Sequence, residues 1–117
     1  MDDAALVDRL ETYLMSHGIY LERSAHERET LHIEYETAVD GIPDPQLGRV
    51  CSELIDAHEA GWEPTDVHAW VFSLDGAFVG EWEVRGGWLR ALENGNVSET
   101  DFSTLVRSTR ELEESTR

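Results

Sequence analysis

Read from the amino end, apolar residues first recur with the spacing of a helix. Leu6, Leu10, Tyr13 and Leu14 share one stripe, Asp2 and Asp3 precede them as capping residues, and Gly18 follows as a helix-ending glycine. This predicts a helix over 3–17. The period then drops to two. Ile19, Leu21 and Arg23 alternate with Tyr20, Glu22 and Ser24 and, past a polar turn at 25–29, Leu31, Ile33, Tyr35, Thr37 and Val39 alternate with His32, Glu34, Glu36 and Ala38. Such alternation describes half-buried antiparallel strands, apolar inside and acidic outside, so this region reads as a hairpin.

Asp40-Gly41-Ile42-Pro43 is a turn, and Asp44 as N-cap with Pro45 at the first helical position opens a second helix. Its inner face is Leu47, Val50, Cys51, Leu54 and His58, and Gly61 stops it. Residues 67–84 then form a second hairpin around Asp75-Gly76, the strongest short-range turn signal in the chain. A two-residue turn would set Trp70 opposite Glu81. A three-residue turn, Leu74-Asp75-Gly76 with Gly76 left-handed, pairs Ser73 with Ala77 and segregates the faces better. It predicts a core face of His68, Trp70, Phe72, Phe78, Gly80, Trp82 and Val84, with Gly80 making room for the Trp70 indole. Ala69, Val71, Ala77, Val79, Glu81 and Glu83 take the outer face. Gly86-Gly87 breaks the strand, Trp88, Leu89 and Leu92 suggest a short helix, and Ser98 with Asp101 forms a capping box for a last helix carrying Phe102, Leu105, Val106, Thr109 and Leu112.

The order α-ββ-α-ββ-α-α predicts a single α+β domain over 1–117, with 113–117 fraying. Strands that come as hairpins favour a two-layer architecture: a four-stranded antiparallel sheet with helices on one face.

Charge changes the picture of the surroundings. The chain has 25 Asp and Glu against 9 basic residues, a net charge of -16, and every basic residue is Arg. The acids are interleaved with apolar positions, which argues for a folded acidic surface rather than an acidic tail. A Lys-free acidic surface suits molar salt, where the Debye length falls to about 3 Å and self-repulsion is screened. Nucleic acid and anionic membrane are poor partners for such a chain. The lone Cys51 forms no internal disulfide, the amino end lacks a basic signal-peptide region, and no apolar run approaches the ~20 residues of a membrane span. These features point to a cytoplasmic protein.

No nucleotide-binding, nucleophile-elbow, zinc-protease or paired Cys motif occurs, which weakens the case for an enzyme and leaves no catalytic or cofactor residue to name. His32, Glu34 and Glu36 share a strand face and are the candidates for a divalent metal, but steps of about 6.5–7 Å are long for one small ion. A solvated acidic face, which this composition requires in quantity, accounts for them better than a metal site does. Glu81 and Glu83 also share a face, with no sign of the cleft that acid–base work needs. Cys51 and His58 lie about 10 Å apart along their helix, too far for a nucleophile and its base.

The four tryptophans are the better lead. Burial explains large aromatics well, at roughly 1.5–3 kcal/mol for each large apolar side chain. Trp62 and Trp88, beside turns, are the candidates for exposure. With Ala69, Val71 and Val79 on the outer sheet face they make the candidate interaction surface, for a protein partner or a second copy. The rival is a small-ligand protein or small enzyme with a pocket lined by His68, Trp82 and Trp88.

The pattern Leu74-Asp75-Gly76, Gly80-Glu81-Trp82, Trp88-Leu89 and Ser98-Glu99-Thr100-Asp101-Phe102 resembles a family of small acidic uncharacterised proteins of haloarchaea. The resemblance spans most of the chain and implies a cytoplasm rich in KCl; it brings no activity, cofactor or site. The element order is also similar to small α/β domains of the secretion-chaperone type, which dimerise and hold other chains, an analogy of fold alone.

Overall fold

The computed structural model describes residues 1–113. Helix α1 (Asp3–Met15) leads into strands β1 (Ile19–Glu27) and β2 (Thr30–Thr37). Helix α2 (Asp44–Glu59) connects these to β3 (Asp66–Ser73) and β4 (Phe78–Val84). Helices α3 (Gly86–Glu93) and α4 (Glu99–Ser108) follow, and the short β5 (Glu111–Leu112) closes the described chain. The fold is α+β, but the sheet has five strands in the order β1-β2-β3-β4-β5 and is mixed. The expected four antiparallel strands are corrected in two respects.

First, β2 and β3 run parallel, from Thr30 opposite Asp66 to Thr37 opposite Ser73. The reason is the length of α2. A 16-residue helix spans about 24 Å, close to the ~26 Å of an eight-residue strand. It returns the chain along the whole sheet, so β3 starts at the end where β2 started. The two hairpins are joined by a crossover. Second, β5 pairs with β4 at Gly80–Leu112 and Glu81–Glu111, and Glu113 donates its N–H to the Val79 carbonyl at 2.8 Å. Fraying expected from Glu113 onward therefore does not hold at Glu113 itself; its remainder lies outside the described residues.

All four helices lie on one face of the sheet, as the two-layer reading predicts. Ile19, Leu21, Leu31, Ile33, Tyr35, Val67, Ala69, Val71, Trp82 and Val84 point into one buried cluster with Leu6, Leu10 and Leu14 of α1, Val50 and Leu54 of α2, Leu89 of α3, and Phe102 and Val106 of α4. The Asp2 cap of α1 and the Ser98–Asp101 capping box of α4 form as expected. Asp44 does not cap α2, whose N-cap is Pro43. The Asp44 carboxylate instead receives Arg110 at 2.7 Å and Arg107 at 3.2 Å, fastening α2 to the end of α4.

Trp62 corrects another expectation, being only 1% exposed. Gly61, at φ 113°, donates to the His58 carbonyl at 3.1 Å, and the Trp62 N–H reaches back to the Ala57 carbonyl at 2.9 Å. This is a Schellman ending, in which the residue after the glycine folds back onto the helix it leaves. It brings the indole under α1, where its N–H donates to Asp3 at 3.1 Å.

A chain of buried polar groups crosses the sheet. The Trp82 indole N–H donates to the Tyr35 hydroxyl at 2.8 Å, that hydroxyl donates to the Gln46 side-chain oxygen at 2.9 Å, and the Gln46 amide donates to Thr37 Oγ1 at 3.1 Å. Burial raises the Tyr35 pKa well above the usual tyrosine range, so its hydroxyl stays protonated and able to donate. Glu53, also buried, pairs with Arg9 of α1.

Candidate functional site on the open face of the sheet

The face of the sheet away from the helices is assembled by an irregularity in β4. At the hairpin tip the three-residue turn forms as expected: Gly76 is left-handed at φ 89°, Ser73 N–H donates to the Ala77 carbonyl at 2.8 Å, and Phe72 stands opposite Phe78. The register then slips by one residue between Val71 and Phe72, so that Val71 faces Gly80, Ala69 faces Trp82 and Trp70 faces Glu81. Val79 is the extra residue on β4. A bulge reverses which side chains of the partner strand share a face.

The faces of β3 are consequently the reverse of the expectation, while those of β4 agree at Gly80, Trp82, Val84, Glu81 and Glu83. Val67, Ala69 and Val71 are fully buried under the helices, and His68, Trp70 and Phe72 look out from the open side, each half-buried. Ala69, Val71 and Trp62 are therefore core residues, not surface ones. Val79 and Trp88 are half-buried and both pack against the core. The expected interaction set is not brought together.

Gly80 is explained differently as well. A Cβ there would lie 2.4 Å from the Glu111 carbonyl oxygen and 3.0 Å from Ile42 Cδ1, so the glycine admits β5 rather than the Trp70 indole. A glycine inside a strand signals a bulge or a close backbone approach, and here it marks both. That was the available clue to the reversed face. Past β5, Thr109 covers the edge: its hydroxyl oxygen accepts the Glu83 N–H at 2.9 Å.

What gathers on the open face is a strip of rings. His32 and His68 are neighbours across the parallel pair, their ring centroids 5.5 Å apart. The Trp70 indole stacks on His32 at 5.2 Å with the planes 12° apart and meets His68 edge-on at 4.5 Å. Phe72 meets Phe78 at 5.6 Å. The register sets carboxylates on both sides: Glu34 beside Trp70 and Glu36 beside Phe72 on β2, Glu81 beside Trp70 and Glu83 beside His68 on β4. His68 Nε2 lies 2.8 Å from Glu81, and Arg23 of β1 lies 3.6 Å from Glu34. The Nδ1 atoms of His32 and His68 are buried and have no hydrogen-bond partner among the described residues. Shallow recesses flank the strip, one of about 270 Å³ touching His68, Glu81, Glu83 and Glu111, the other of about 300 Å³ touching Arg23, Glu34, Glu36 and Phe72.

The three metal candidates are thus divided among different neighbours: His32 against Trp70, Glu34 toward Arg23, Glu36 beside Phe72. Among the described residues no three His, Cys, Asp or Glu side chains converge to hold a metal ion. Of the expected pocket residues, His68 and Trp82 both border the recess of about 270 Å³, but Trp88 does not join them. Trp82 is buried on the helix side, His68 stands on the open side, and Trp88 borders a separate recess with Arg85 and Asp66. A further groove of about 380 Å³ between α2, α3 and α4 holds Ile55, Leu89 and Leu92 under Glu59 and Glu93. Its one histidine, His58, is bound at both nitrogens, to the Trp62 carbonyl at 3.0 Å and Glu93 at 3.1 Å. Burial pushes the Cys51 thiol up to about 12, which makes it a core residue rather than a nucleophile.

A family model described as a domain of unknown function (DUF8159) matches residues 1–116. The chain belongs to that family. No curated protein and no solved structure gives a match. Membership thus confirms an uncharacterised family and leaves the chemistry of the open face to be argued from its residues. No helix among the described residues is long and apolar enough to cross a membrane.

Proposed function

We propose that this DUF8159 chain is a non-enzymatic protein-interaction module that works in the salt-rich cytoplasm of a halophilic archaeon and uses the open sheet face as its contact surface. The observation that carries this reading is the strip of half-buried rings His32, His68, Trp70 and Phe72 on the face of the sheet opposite the helical core. Aromatic rings held rigid within a carboxylate rim offer contact area at little entropic cost, the composition of an interface core and its polar border. The salt-rich setting is supported by the net charge of -16 and the absence of Lys. Molar salt strengthens the burial of apolar surface while it screens charge, so ring contacts are the practical ones there. The same charge speaks against nucleic acid and anionic membranes as partners. A small-ligand or enzymatic reading has less support, because the recess that His68 and Trp82 border is shallow and Trp88 lies at a different one.

Site-specific photo-cross-linking in the host cell tests the reading. A photoreactive phenylalanine at position 72 should give discrete adducts, with a partner protein or a second copy, that are absent from the same group at position 11 on the exposed side of α1. Equal adducts from both positions, or none from 72, would contradict it.

A further inference from the structure

We infer that the occupant of the open face is a basic, arginine-bearing segment of a partner protein. This rests on the reading of that face as an interface and adds the chemistry of what it takes. The slipped register places Trp70 between Glu34 on one neighbouring strand and Glu81 on the other, a carboxylate–indole–carboxylate row across three strands. Neighbouring strands are about 4.8 Å apart, so the two carboxylate-bearing positions stand roughly 10 Å from each other. The next row pairs Glu36 with Phe72.

Every ionised side chain that β2, β3 and β4 present on this face is acidic, and the recesses on either side end in further carboxylates. An arginine satisfies both parts of such a surface. Its stem and planar guanidinium lie on aromatic rings while its N–H groups reach carboxylates. One arginine of the same chain, Arg23, already reaches a carboxylate of this face, 3.6 Å from Glu34, with its side chain largely exposed. A second copy fits less well, since a two-fold contact through this face would set Glu34, Glu36, Glu81 and Glu83 against the same four residues. Like charges facing each other across an interface are disfavoured.

The test is a titration of the full-length ¹⁵N-labelled chain with a hexa-arginine peptide in about 0.5 M KCl, where the Debye length of roughly 4 Å leaves contact pairs and removes long-range attraction to an acidic protein. The expected result is that amide shifts concentrate in β2, β3 and β4, with the Trp70 indole N–H among the largest. Glu34→Gln and Glu81→Gln should each weaken the peptide by about three- to fivefold, while Glu11→Gln and Glu99→Gln on the helix side should change it by less than about twofold. Glu34→Gln and Glu81→Gln leave the buried core untouched, so they report on binding in a folded chain. Shifts spread over the whole acidic surface, equal weakening by the helix-side variants, or no binding would overturn the inference. So would face amides that move with protein concentration alone, the mark of self-association. Discrete cross-links from position 72 together with any of these results would retain the interface and reject the arginine-bearing partner.

Discussion

Tyr35→Phe removes one oxygen atom and tests how the core is specified. The hydroxyl accepts the Trp82 indole N–H at 2.8 Å and donates to the Gln46 side chain at 2.9 Å, inside a region where both rings are at most 1% exposed. Without it, a buried N–H loses its acceptor and a buried amide oxygen loses its donor. Leaving such a group unpaired costs about 1–3 kcal/mol, so the variant should lose roughly 2–6 kcal/mol for the two groups together. Against a total of about 5–15 kcal/mol for a domain this is a large fraction. It corresponds to a fall in Tm on the order of 10 °C for a chain of this size. Urea unfolding in about 2 M KCl, followed by tryptophan fluorescence, measures it under screened conditions. Tyr20→Phe is the control. Tyr20 is 41% exposed, and its change should stay within about 0.5 kcal/mol. A Tyr35→Phe loss no larger than that of the control, with the urea slope unchanged, would refute the claim that this network is closed and dry.

Three further substitutions or probes check other parts of the account. Gly80→Ala should cost about 1–3 kcal/mol and release β5, read as fast hydrogen exchange at Leu112 and Glu113, because the new methyl meets the Glu111 carbonyl oxygen; unchanged exchange there would contradict it. Asp44→Asn tests the α2–α4 tie. Hydrogen bonds from Arg110 and then Arg107 hold the Asp44 carboxyl below the usual 3.8, so its contribution is present above that value and is lost as pH falls through the lower folded one. The stability gap between wild type and variant should therefore close below about pH 4 and narrow in molar KCl, and a gap that widens on acidification would reverse the assignment. Cys51, its thiol pushed up to about 12 by burial, should resist iodoacetamide at pH 8 in the folded chain and react once urea unfolds it.

Much of the fold was legible because its signals are local. The stripe of α1, the apolar-in, acidic-out alternation of β2, the left-handed Gly76 and the Ser98–Asp101 box each depend on a few adjacent residues, and each forms as read, except that β2 ends at Thr37 and leaves Val39 exposed. The parallel pairing of β2 with β3 was missed because it depends on matching a helix length to a strand length across the whole connection. The open face was missed for a subtler reason. Val67, Ala69 and Val71 are as apolar as His68, Trp70 and Phe72, so alternation alone leaves the two faces of β3 nearly equal, and the correct turn at the tip propagated the wrong phase. The bulge at Val79 decided the matter, with Gly80 as its one sequence trace. Trp62 shows a similar limit: standing next to a turn suggested exposure, whereas the residue after a helix-ending glycine is the one a Schellman motif folds inward. Of the candidate site, His32 and the carboxylates at 34, 36, 81 and 83 were placed on the outer face by sequence, and the rings of His68, Trp70 and Phe72 were not.

The claim on which the site depends is that Trp70 stands on the open face while Trp62 and Trp82 are enclosed. Paramagnetic relaxation of the indole N–H signals by a soluble, neutral gadolinium chelate tests it most directly. The account predicts broadening for the half-buried Trp70 and Trp88, and none for Trp62 and Trp82, which are each 1% exposed. A protected Trp70 beside a broadened Trp62 would contradict it and return the aromatic face of β3 to the core.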